Sequence, residues 1–160
     1  MELSRVRLSD AVVAPLLAGL GEEYRSRYGT NDELSRAQTS EFDPPGGGFF
    51  VLIDVGVTAA GGGFRPHADG VCEVKRMWTN PAYRRQGLAA RILDALEEAA
   101  EAAGYRRLVL ETGPRQPEAA ALYERRGYSR IPVYGQYPAA LAFATDLRIP
   151  SPEGAANERR

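Results

Sequence analysis

Residues 71–104 read VCEVKRMWTNPAYRRQGLAARILDALEEAAEAAG, and the order of signals in this stretch decides the fold. Val71 to Thr79 reads as a strand. Asn80-Pro81 ends it, because Pro81 offers no ladder donor and restricts the residue before it. From Leu88 the period becomes helical. Leu88, Ile92, Leu93, Leu96, Ala99, Ala100 and Ala103 share one face, and Arg91, Asp94, Glu97, Glu98 and Glu101 share the other. Gly104 stops the helix as a C′ residue. A strand, a proline turn and an amphipathic helix therefore follow one another without a long loop.

Upstream, FFVLIDVGVTAAGGGF gives two strands, Phe49 to Ile53 and Val57 to Phe64, joined by a turn at Asp54 to Gly56. Gly61 to Gly63 indicate a bulge or a close backbone approach, and RPHADG (65–70) reads as the next turn. A short strand is expected around Val6 and Leu8, then a helix over 11–28 capped by Ser9 or Asp10 and kinked near Pro15 and Gly19. A second short helix is predicted from Asn31 to Ser40, and DPPGGG (43–48) is a loop. Downstream, RRLVLET (106–112) reads as a buried parallel strand. A helix with Pro117 in its first turn follows and is closed by Gly127. Two late strands are expected, at Tyr128 to Val133 and Ala139 to Leu147. The sum is an α/β (α+β) fold: a mixed, mostly antiparallel sheet of six or seven strands flanked by about four helices.

Composition sets limits on function. The chain has 160 residues, with 20 basic against 21 acidic side chains and one histidine, so its net charge of −1 gives no basis for broad nucleic-acid binding. One domain over residues 3–148 is expected, with 149–160 as a flexible tail. No apolar run suits a membrane span or a signal peptide, which points to a cytoplasmic protein with no membrane partner. Cys72 and His67 alone cannot make a Cys/His zinc cluster, so no metal is expected. Cys72 should be a small buried hydrophobe and His67 a solvent-exposed turn residue.

The stretch Tyr83-Arg84-Arg85-Gln86-Gly87-Leu88-Ala89 carries the chemistry. It lies where a helix begins, and the unpaired N–H groups and positive dipole end of a helix favour an anion. Gly87 and Ala89 let a phosphate come close, and Arg84 and Arg85 add charge. The residues alone describe an anion cradle. The segment Arg84-Arg85-Gln86-Gly87-Leu88-Ala89 also resembles the Gln/Arg-x-x-Gly-x-Gly/Ala motif of the GCN5-related N-acetyltransferases (GNAT), with Ala in the last place. The resemblance is strongest over 71–137, through LVLETG, QPEAAALYERRGY and VYGQY.

That resemblance implies an acyl-CoA N-acyltransferase fold in which strand 4 splays from strand 5. It implies acetyl-CoA as co-substrate, with its diphosphate on the amides of Arg85, Gln86, Gly87, Leu88, Ala89 and Ala90 beside the charge of Arg84, and its pantetheine arm along Met77, Trp78 and Thr79. It gives Tyr123 the place of the general acid and Glu73 the place of a general base. Strand alternation sets Glu73, Lys75 and Met77 on one face, at about 7 Å between alternate positions. Glu73 is therefore a base, an anchor for the substrate's ammonium, or a salt-bridge partner of Lys75. Tyr24, Tyr28, Lys75, Tyr134 and Tyr137 are the expected substrate-binding residues, each tyrosine having an ordinary half-buried role as its alternative.

The function implied is acetyl transfer from acetyl-CoA to a primary amine of a small molecule, by direct attack in a ternary complex. The alternatives are a protein or peptide acceptor, or a catalytically silent acyl-CoA-binding sensor. A homodimer is left open.

Overall fold

The structure, a computed structural model, describes residues 1–29 and 39–148. Its strands are β1 (Glu2–Val6), β2 (Gly48–Asp54), β3 (Val57–Ala68), β4 (Val71–Thr79), β5 (Arg107–Thr112), β6 (Ser129–Ile131) and β7 (Leu141–Asp146). They form one sheet of seven strands in the order β1-β2-β3-β4-β5-β7-β6. Every neighbouring pair is antiparallel except β4–β5. Three α-helices stand among the described residues: α1 (Ala14–Tyr28), α2 (Leu88–Ala102) and α3 (Pro117–Arg125). The helix predicted from Asn31 falls mostly outside the described residues; at its end Thr39–Phe42 forms a 3-10 turn. The tail from 149 also lies outside them.

Strand alternation divides the interior into two cores. Phe49 and Val51 of β2 face one side with Leu16 and Leu20 of α1, Phe42 and Trp78. Leu52 faces the other side with Phe64, Cys72, Val74, Leu108, Leu110 and Phe143, covered by Ile92, Leu93 and Leu96 of α2 and Ala120 and Tyr123 of α3. The apolar stripe read from the sequence of α2 is thus the stripe it buries. Each such Leu or Ile contributes about 1.5–3 kcal/mol by leaving water.

Three sequence expectations change. Helix α1 runs unbroken from Ala14, because Pro15 occupies its first turn, where a missing N–H costs nothing. Gly19 is not a break either: a Cβ there would lie 2.4–2.6 Å from the Trp78 indole, so the glycine lets α1 lie against β4. The turn expected over 65–70 shrinks, since β3 continues to Ala68. Pro66 is tolerated because β2 ends opposite Phe64, leaving that flank of β3 without a ladder partner.

The third change matters for the site. Arg76 adopts φ 64°, and the register slips beside it: Gly63 faces Lys75, but Gly61 faces Trp78. This β-bulge breaks the simple alternation. Met77 crosses to the α2 side and packs against that core, while Trp78 joins the α1 core. The glycines opposite allow it: a Cβ on Gly62 would lie 2.4 Å from Met77 Sδ, and one on Gly61 2.6 Å from Leu16 Cδ1.

Candidate active site

Strands β4 and β5 pair only at Val71–Arg107, Cys72–Leu108 and Glu73–Val109. Beyond Glu73 they part, and the bulged half of β4 leaves its β5-facing edge without ladder bonds. The fork opens into a cavity of about 420 Å³. Its floor is Val74, Lys75, Arg76 and Met77 from β4 with Leu110, Glu111 and Thr112 from β5. Tyr24 and Tyr28 of α1 form one wall, Gln116, Ala119 and Tyr123 another, and Tyr137, Ala139 and Ala140 a third.

A clasp between α1 and α3 sets the first two walls. Arg27 Nη1 donates to the Arg115 carbonyl at 2.7 Å and to Glu118 at 3.0 Å, and Arg115 Nη1 donates back to the Arg27 carbonyl at 2.6 Å. Gly113 is small by necessity, since a Cβ there would sit 1.7 Å from the Tyr28 hydroxyl oxygen.

Tyr123 lies both in the core and at the cavity. It is a core aromatic, 5% exposed, stacked on Tyr128 at 5.8 Å and tilted against Phe143 at 5.5 Å. It also lines the cavity. Burial pushes its phenol up from 10.0 to about 12, so it stays a proton donor across the neutral range. Cys72 lies in the same core, away from the cavity lining, and burial raises its thiol to about 12. It is an inert apolar residue here.

Glu73 and Tyr134 meet each other instead of the cavity. Glu73 is 5% exposed and is absent from the lining. Its Oε1 accepts from Arg65 Nε at 3.1 Å and lies 3.0 Å from Arg65 Nη2, while Oε2 accepts from the Tyr134 hydroxyl at 2.7 Å. The ion-pair partner is therefore Arg65, directly opposite on β3, and not Lys75. His67 is exposed as expected, with its ring 4.7 Å from that of Tyr134.

The turn before α2 is open to solvent. Arg84, Arg85, Gln86 and Gly87 are exposed, Ala89 and Ala90 half-buried, and Leu88 turns its side chain into the core. Arg85 and Gly87 are left-handed, φ 65° and 74°. The N-cap residue Gly87 offers α2 no side-chain cap and its first turn carries no acid, so among the described residues no carboxylate claims its leading N–H groups. Arg84 is tied to Glu23 of α1 at 2.7 Å. Such an uncapped start suits a diphosphate, and the part of β4 beyond its last ladder pair with β5 suits an extended arm. The Trp78 side chain is buried under α1 and turned away from such an arm, while Thr79 is half-buried. Among the described residues no group of three or more His, Cys, Asp or Glu could hold a metal ion, and no helix is long and apolar enough to cross a membrane.

Of the expected site residues, the cavity gathers Tyr24, Tyr28, Lys75, Met77, Tyr123 and Tyr137. Sequence reasoning missed Arg65, Glu111, Gln116 and Glu23. Arg65 was findable, since a hairpin turning at Asp69-Gly70 sets it opposite Glu73 as an opposite-charge pair. Glu111 had a weaker signal, a lone acid in an apolar strand.

The open seven-stranded sheet, the fork between its two parallel strands and the uncapped helix after a proline turn define an acyltransferase fold. A family model for the acetyltransferase (GNAT) family matches residues 16–128, and the chain belongs to that family. It is 37% identical over 94 residues to the uncharacterised N-acetyltransferase YjgM of Escherichia coli, a match covering 56% of each chain. It is 40% identical over 68 residues to the IAA acetyltransferase of Azospirillum brasilense, covering 42% of this chain and 44% of that one. The matches thus span about half the length of these curated relatives. The PaiA N-acetyltransferase of Thermoplasma acidophilum, solved in complex with coenzyme A, shares the fold with a TM-score of 0.71 over 91% of this chain and 99% of that one, at 12% identity.

Proposed function

We propose that the protein transfers an acetyl group from acetyl-CoA to a primary amine of a small molecule, by direct attack within a ternary complex. The observation that carries this reading is one cavity that unites the β4–β5 fork with the Tyr123 side chain. The diphosphate would rest on the amides from Arg85 to Ala90, at the start of α2 that lacks both a cap and an acid. The pantetheine arm would complete the open edge of β4 at Met77 to Thr79. The coenzyme A complex of the Thermoplasma relative supports the coenzyme, and the Azospirillum relative's name supports acetyl transfer.

The amine nitrogen attacks the thioester carbonyl carbon, the carbon–sulfur bond breaks, and the acetyl group stays on nitrogen. The proton lost by the amine passes to water, the departing thiolate takes one from the Tyr123 hydroxyl, and water returns a proton to the phenolate. A phenol held near 12 would be a poor donor to a thiolate in water. Partial burial in the cavity would raise the proton affinity of the departing thiolate as well, which narrows the mismatch.

Tyr24, Tyr28 and Tyr137 confine the acceptor, and the clasp between α1 and α3 closes that side against an extended chain. Both features favour a small amine over a peptide, and a volume of about 420 Å³ is of small-molecule size. Free thiol release from acetyl-CoA, measured over a panel of alkyl, aromatic and amino-acid amines, tests the reading. It predicts release that depends on the amine, with a product heavier by one acetyl group. Coenzyme binding without release for any amine would favour a sensor.

A further inference from the structure

Glu73 stands on the strand where a general base is expected, but its surroundings suit another task. Three donor atoms, two from Arg65 and one from Tyr134, already hold its two oxygens. At 5% exposure it has no open face toward an incoming amine. Arg65 is braced in turn by Glu41 at 2.7 Å. The carboxylate is a fixed post, and what it fixes is Tyr134.

Tyr134 belongs to the connection between β6 and β7, residues 132–140, which supplies Tyr137, Ala139 and Ala140 to the cavity wall. The same residue is held a second time through its backbone. Glu111 Oε2 accepts from the N–H groups of Tyr134 and Gly135, at 3.2 Å each. Gly135 allows this approach, since a Cβ there would lie 2.1 Å from Glu111 Oε1. One carboxylate therefore grips the side chain and another the main chain, a few residues before the segment that walls the cavity.

We infer that Glu73 is a positioning residue: through Tyr134 it holds the 132–140 connection as the acceptor-facing wall, and it takes no proton from the amine. The inference rests on the acetyltransferase reading above, but its geometry can be tested apart from turnover. Tyr134→Phe removes the grip and leaves the Arg65–Glu73 pair intact, so the fold is retained; Glu73→Gln removes the charge.

The expected result is that both variants share one phenotype. With the fastest amine of the panel, acceptor KM rises about tenfold while kcat stays within about threefold. Coenzyme affinity and the pH profile are unchanged, and the double variant is no worse than either single one. The amides of Gly135 to Tyr137 exchange faster with deuterium in both. A loss of about a hundredfold or more in kcat for Glu73→Gln alone, with Tyr134→Phe unaffected, would make Glu73 the base and overturn the inference. Unchanged amide exchange in both variants would overturn it as well. If the wild type releases no thiol with any amine, the acetyltransferase reading fails and the exchange rates alone decide the role of Glu73.

Discussion

Arg84 has a partner in the fold that its sequence neighbours do not announce. In the sequence it is half of an arginine pair beside a phosphate cradle; in the fold it reaches Glu23 of α1 at 2.7 Å. Burial pushes the Glu23 carboxyl above its usual range, against the pull of Arg84 and Arg27. An anionic diphosphate would compete with that carboxylate for Arg84. Glu23→Gln is expected to tighten coenzyme binding about threefold at low salt, with the gain shrinking as salt rises, because an exposed pair is worth about 1 kcal/mol at most. Titration calorimetry at two ionic strengths measures it. Weaker binding in the variant would mean that Glu23 orients Arg84 for the phosphates.

At the level of elements, the bulge in β4 depends on the three glycines facing it. A Cβ on Gly63 would meet the Phe49 ring at 2.5 Å, the Phe42 ring at 2.7 Å and the Gly48 carbonyl at 2.9 Å. Rings and backbone cannot step aside as a flexible chain end can. Gly63→Ala should cost about 1–3 kcal/mol by overpacking, read from the denaturation midpoint. Gly62→Ala meets the movable thioether of Met77 and should cost less in stability, but it displaces a residue of the cavity floor. The elements also mark how far the sequence could be read. Helix α2 and the strands beside it were legible because their apolar spacing is the spacing they bury. The bulge was legible only on its β3 side, where Gly61 to Gly63 indicated a bulge or a close approach; nothing in Lys75-Arg76-Met77 announces a left-handed arginine, so Met77 was expected on the wrong face. The cavity's tyrosines were visible only as aromatics near element ends, and the link from Tyr134 to the Arg65–Glu73 pair joins residues 61 positions apart, which no local pattern announces.

For the molecule as a whole, buried acids make alkaline pH the weak side. Burial raises Cys72 from 9.0 and Tyr123 from 10.0, both to about 12. Tyr128 and Tyr134 are raised too, by burial first and then by Glu97 and Glu73 respectively. The unfolded chain ionises these groups before the folded one does. Stability from this source is therefore complete below about pH 9 and falls as pH rises toward 12, by about 1.4 kcal/mol per group per pH unit in that window. Thermal unfolding between pH 8 and 11 should show a steep decline, shallower in Tyr123→Phe. A melting temperature flat over that range would contradict the burial of these groups. Coenzyme at a hundredfold over its Kd should add about 2.7 kcal/mol of stability if it binds the folded chain alone.

The most direct measurement compares wild type with Tyr123→Phe for amine-dependent thiol release from acetyl-CoA, with coenzyme affinity determined on the same samples. The account predicts equal affinity and a kcat lower by about a hundredfold in the variant, the loss of a positioned proton donor to the departing sulfur. Turnover undiminished without the hydroxyl would contradict it.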